Sequence, residues 1–119
     1  MVNTAPSHPN LATNTFPPML AGQALVMNAF SRNTNLLTSS MVRPVGGPGT
    51  KDMLYEIAAH TLATISSGSS FCMGIHSAMG NNAMHVSGLE SRFLAQVGRA
   101  AAGMTRKEAN GIVSALVEH

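Results

Sequence analysis

Charge is what this chain has least of. Only 10% of its 119 residues are Asp, Glu, Lys or Arg, against roughly 25% in an ordinary globular protein. Few side chains therefore suit a fully solvated surface, which points to an oligomer or to a segment covered by neighbours of its own protein. Long apolar runs are missing too: no stretch of about 18 apolar residues exists, which excludes a membrane-spanning helix. The N-terminus, MVNTAPSHPNLATNTFPP, is polar and punctuated by proline, without the basic-then-apolar order of a secretory signal. A single cysteine, Cys72, excludes an internal disulfide and suits a reducing cytoplasm, the expected location. Clustered basic charge is also lacking. Seven Lys and Arg against five Asp and Glu leave a formal excess of +2, and the cations are dispersed, so the footprint of a nucleic-acid binder is absent.

What is there reads as alternating helix and strand. Residues 1–15 suggest an irregular lead-in. Pro17-Pro18 suits a first helical turn, where a missing N–H costs nothing, and Leu20, Ala24 and Met27 share one face of a helix running to about Phe30. Leu36–Val42 is short, aperiodic and closed by Pro44, as expected of a strand buried on both faces. Val45-Gly46-Gly47-Pro48-Gly49 then makes a tight loop, and Thr50 is placed to cap a helix with Leu54, Ile57, Thr61 and Ile65 inward and Gly68 at its left-handed end. Residues 69–86 read as strand or coil, with Phe71–Ile75 a candidate strand and Gly80-Asn81-Asn82 a turn. Ser87-x-x-Glu90 and Thr105-x-x-Glu108 have capping-box spacing. They predict one helix burying Leu89, Phe93, Val97 and Ala100, and another burying Ala109, Ile112, Val113 and Leu116. Small residues between them (Gly98, Ala101, Ala102, Gly103) allow close packing. A single complete strand makes no sheet, so strand partners must come from an oligomer or from a part of the protein outside this chain.

The strand–loop–helix at Met41–Asp52 is where α/β barrels place function, at the C-terminal ends of strands. Glycine N–H groups and a following helix N-terminus favour an anion there, although Gly46-Gly47-Pro48-Gly49 matches no phosphate-loop signature and a plain turn explains it as well. Cys72, His76, His85 and His60 are metal-ligand types, but no four-ligand set stands at standard spacing, so no metal is expected. Glu56 and His60 lie one turn apart, as an acid–base pair or a solvent-facing one. The nine methionines fit core filling or an adaptable binding surface.

Residues TSSMVRPVGGPGTKDMLYEIAAHTLATISSG, followed by SGLESRFLAQVGRAAAG, resemble the C-terminal third of the corrinoid-dependent monomethylamine methyltransferases of methanogens. The specific parts are Pro44, Gly47 and Pro48, the Leu54–Glu56 pair, and Gly88-x-Glu90-x-Arg92 leading into Val97-x-Arg99-Ala100-x-Ala102-Gly103. The resemblance runs from about Ala12 to Val117 and covers only the end of the family's much longer chain. It implies an α/β fold: the C-terminal portion of a (β/α)8 TIM-type barrel, whose last helix–strand–loop–helix is residues 1–68, followed by a post-barrel segment, 69–119, with two packed helices. It further implies methyl transfer from a methylamine-like substrate to the cobalt of a corrinoid (cobalamin). The corrinoid is carried by a partner protein and not bound directly, and the complete protein forms a homo-oligomer. The family's pyrrolysine and its carboxylates lie upstream, so no catalytic residue is expected in this chain. The substrate-binding positions it does imply are Met41, Arg43, Gly46 and Gly47. Where the family has Gln and Tyr, this chain has Met41 and Arg43. Met41 lacks an amide's hydrogen bonds, and Arg43 repels a methylammonium cation while favouring a carboxylate or phosphate.

Two functions therefore stand side by side. One is the C-terminal segment of a corrinoid-dependent methyltransferase, inactive alone. The other is a small self-associating helical binding module without catalytic activity.

Overall fold

The leading residues, expected to be irregular, contain a strand. The computed structural model describes residues 1–76 and 86–119. In order, these form β1 (Val2–Thr4), α1 (Pro17–Asn33), β2 (Thr38–Val42), α2 (Lys51–Ser66), β3 (Phe71–Ile75), α3 (Gly88–Ala101) and α4 (Arg106–Val117). The three strands make one parallel sheet in the order β1-β2-β3. The expectation of one strand without partners is thus corrected. Val2 pairs with Thr38 and Thr4 with Ser40 on one side, and Ser39 pairs with Phe71 and Val42 with Ile75 on the other. β3, which lies beyond residue 68, thus pairs with β2 in the same sheet. The proposed Gly80-Asn81-Asn82 turn and His85 lie outside the described residues.

Pleating sends alternate β2 side chains to opposite faces. Ser40 reaches His60 of α2 at 3.2 Å, and Val42 packs with Met53, Ile57 and Leu94, with Cys72 and Ile75 of β3 against the same cluster. Ser39, Met41 and Arg43 consequently belong to the other face, where Phe71 and Met73 of β3 remain 38% and 46% exposed. α1, α2 and α3 all pack on the first face, and α4 lies against α2. A parallel sheet ordinarily has both faces covered; among the described residues the helices cover one. β2 starts at Thr38, not Leu36, and Leu36 and Leu37 stay 50% and 62% exposed.

α2 forms as expected, with the Thr50 hydroxyl accepting from Met53 N–H and Gly68 at φ +104° beyond its end. Its buried stripe is rotated from expectation. Met53, Ile57, His60, Thr61 and Thr64 point inward, while Leu54 and Ile65 are half-buried, because α2 is wedged between the sheet and three helices. Both capping boxes form. The face of α3 is off by one position: Glu90, Leu94 and Ala101 are buried, whereas Leu89 is 60% exposed and Ala100 lies at the surface. In α4 only Ala109 is fully buried, Val113 and Leu116 are half-buried, and Ile112 is exposed. Among the described residues no helix is long and apolar enough to cross a membrane.

Candidate functional site

Parallel strands deliver their C-terminal ends to one edge of the sheet. Here that edge collects Ala5–His8 after β1, Arg43–Gly47 after β2 and His76 after β3, whose N–H donates to Val42 O at 2.8 Å. A bulge sits beside it. Ser40 pairs with Cys72 but Met41 pairs with Gly74, so Met73 is the extra residue and Gly74 takes φ +136°. Such bulges re-aim side chains at the rims of sheets.

The exit of β2 is clamped by residues 13–15. The buried Asn14 side chain behaves like a short piece of strand: its Nδ2 donates to Met41 O at 2.7 Å and its Oδ1 accepts from Arg43 N–H at 2.8 Å. The Thr13 hydroxyl donates to Arg43 O at 2.6 Å. Ala12, just before, takes a left-handed φ of 49°, which is costly for a residue with a Cβ. The Arg43 side chain is half-buried and donates from Nη1 to Ser7 Oγ at 3.3 Å. Among the described residues its Nε has no acceptor.

The loop beyond Arg43 is held at both ends by carboxylates of this chain. At its start, Glu56 accepts from Val45 N–H at 2.7 Å, Gly46 N–H at 2.9 Å and the Thr15 hydroxyl at 2.6 Å. At its end, Glu90, fully buried, accepts from Gly49 N–H at 2.7 Å, Ser87 N–H at 2.7 Å and the Ser87 hydroxyl. The Ser87 hydroxyl, with Gly49 N–H next, holds the Glu90 carboxyl down to about 2. Gly46 is required by space: a Cβ there would lie 2.6 Å from Met53 N and 2.9 Å from its Cα. Gly47 faces open space. The loop N–H groups that a bound anion was expected to use are therefore engaged at Val45, Gly46 and Gly49, and Met53 N–H is taken by Thr50.

Of the four sequence-derived binding positions, Met41 and Arg43 share the sheet face opposite the helices, while Gly46 and Gly47 shape the adjoining loop. Glu56 and His60 do not form a pair. His60 is fully buried against Ser40, and burial holds its imidazole down to about 4, so it stays neutral. Burial also pushes the Cys72 thiol up. Among the described residues no three His, Cys, Asp or Glu converge as a metal set. Met27 and Met53 fill the core, whereas Met73 is 46% exposed. Sequence reasoning missed Ser7, Thr13 and Asn14, which carry no local motif. Glu56 and Glu90 stand out in the sequence through spacings on their own helices and through the family resemblance, but not as anchors of the loop.

A family model described as monomethylamine methyltransferase MtmB matches residues 4–119. MtmB of Methanosarcina mazei is 34% identical over 107 residues, which are 89% of this chain and 23% of that protein. MtmB1 of Methanosarcina barkeri is 33% identical over 99 residues, covering 83% and 21% respectively. The crystal structure of the Methanosarcina barkeri monomethylamine methyltransferase superposes with a TM-score of 0.92 at 28% identity, over 98% of this chain and 25% of that one, and so does a hydroxylamine complex of MtmB. The chain spans about a quarter of the length of these relatives.

Proposed function

Because the chain belongs to the monomethylamine methyltransferase MtmB family, we propose that it supplies three adjacent strands, a mouth loop and the outer helices of a (β/α)8-barrel methyltransferase. The carrying observation is the superposition at TM-score 0.92 over 98% of the chain. The sheet itself supports the reading. Its strands are all parallel, its helices cover one face, and both its edges lack a further strand among the described residues, as a sector cut from a closed barrel requires. The proposed reaction moves a methyl group from a methylamine-like substrate to a corrinoid held by a partner protein, inside a cell's cytoplasm.

The corrinoid, carried by the partner protein, would supply a low-valent cobalt as methyl acceptor. This chain's own residues shape the mouth. Met41 and Arg43 belong to the face that a closed barrel turns inward, at the strand ends where such enzymes bind substrate. The apolar Met41 side chain excludes water from the methyl group. Arg43 brings a positive charge that disfavours methylammonium beside it and pairs with a carboxylate. The substrate is thus a methylated amine bearing an anionic group.

The test is methyl transfer by the complete polypeptide to its corrinoid partner, followed by the corrinoid spectrum, with monomethylamine and N-methylglycine as donors. N-methylglycine is expected to be the better donor, and Arg43→Gln to cost it about 10²-fold in kcat/KM through loss of a charged hydrogen bond. Preference for monomethylamine in both proteins would refute the assignment to Arg43; no transfer from either donor would count against the enzyme reading. The open edges, together with exposed Leu36, Leu37, Phe71 and Met73, also suit a self-associating module, for which sedimentation would find a discrete oligomer of this chain.

A further inference from the structure

A pair of adjacent loop N–H groups with a hydroxyl beside them is an arrangement in which proteins bind anions. At Val45 and Gly46 the anion comes from the chain itself. Glu56 receives three donors, at 2.6, 2.7 and 2.9 Å, the first from the 13–15 segment and the other two from the start of the loop. That first donor matters most. Residues 13–15 grip the β2 exit through Asn14 and Thr13, and Thr15 ties them in turn to α2 through Glu56.

Each threonine hydroxyl has one proton. That of Thr13 goes to Arg43 O at 2.6 Å, and that of Thr15 to Glu56 at 2.6 Å. The 3.0 Å contact between the two hydroxyl oxygens then holds no proton, and the two outer acceptors keep it in place. Removing the carboxylate lets Thr15 turn its proton to Thr13, which frees the 13–15 segment from α2.

We propose that Glu56 is a positioning residue, an internal anion that fills the N–H pair of the mouth loop and, through Thr15, Asn14 and Thr13, fixes where Met41 and Arg43 stand. With this cradle filled from within, a substrate's anionic group is left to Arg43. The proposal rests on the reading of the β2 exit as the mouth of a methyltransferase site. Its test needs no methyl transfer, so the two can fail separately.

The experiment is hydrogen exchange on the complete polypeptide, read on peptides spanning 41–50 and 106–117, for Glu56→Ala and Glu56→Gln in sodium acetate and in sodium chloride of equal ionic strength. Glu56→Ala is expected to speed exchange in 41–50 by about tenfold for each charged hydrogen bond lost, leaving 106–117 unchanged. Acetate at about 0.1 M, which can occupy the vacated N–H pair, restores protection; chloride does not, and the parent protein ignores both. Glu56→Gln keeps one acceptor oxygen and loosens 41–50 by about threefold. An unchanged 41–50 peptide in either variant would overturn the proposal. So would equal loosening of both peptides, or local loosening that acetate leaves untouched. If Glu56→Ala fails to fold, Glu56→Gln decides alone: loosening confined to 41–50 supports the proposal, and its absence refutes it.

Discussion

Two capping boxes of the same spacing open the last two helices, and they do different work. At Thr105-x-x-Glu108 the carboxylate accepts from Thr105 N–H at 2.9 Å and from the Thr105 hydroxyl at 2.6 Å, all at the surface. At Ser87-x-x-Glu90 it makes the same local bonds and a further one, to Gly49 N–H, 41 residues away, from a fully buried position. One box starts a helix. The other starts a helix and also fastens the loop at the strand exit to it. A motif of identical local form thus takes its energetic weight from whether its carboxylate is shared with a distant part of the chain and withdrawn from water.

The largest expected consequence is a difference in stability. Glu90→Ala empties a buried carboxylate position and cuts the tie from Gly49 N–H to α3, and is expected to cost about 3 kcal/mol in urea unfolding, with an unchanged m-value. Glu108→Ala, whose former donors face water, costs clearly less; equal losses would break the contrast. Moving the contrast into the loop sharpens it. Gly46→Ala, pressed against the Met53 backbone, is expected to cost about 2 kcal/mol, and Gly47→Ala, open to solvent, less than about 0.5 kcal/mol. A melting curve of each separates them.

The two boxes also differ in acid. The Glu90 carboxyl is held down from 4.5 to about 2, first by the Ser87 hydroxyl and then by Gly49 N–H. A depressed folded-state value means that this stabilisation is complete above pH 4.5 and is lost as pH falls from there towards 2. The Glu108 carboxyl is lowered in the same sense by Thr105 alone. Glu90→Gln should therefore flatten the decline of stability across this window more than Glu108→Gln does. A parallel decline in both variants would contradict the contrast.

What could be read in the sequence was whatever one segment decides for itself. Thr50, Gly68 and both boxes depend on backbone groups within a few residues, and each ended or began its helix where expected. What could not be read depends on a distant partner. β1 is three residues without apolar alternation, and it exists because Val2–Thr4 pairs with Thr38–Ser40. The α3 face is off by one because Glu90, read only as the carboxylate of a capping box, also turns inward to Gly49. The site divides the same way. Met41, Arg43 and the glycine loop come from the strand–loop–helix pattern and from family resemblance, and as binding positions they stand as part of the proposal. Asn14 and the true partners of Glu56 were not, since an asparagine standing in for a strand, or a carboxylate standing in for a ligand, leaves no spacing to find.

Whether this chain is a sector of a barrel, as proposed, is decided by a structure of the complete polypeptide. A further parallel strand is expected on the open side of Val2–Thr4 and another on that of Phe71–Ile75, with Met41 and Arg43 facing the barrel interior. Edges left facing solvent, or paired with the same edges of a second copy of this chain, would contradict it.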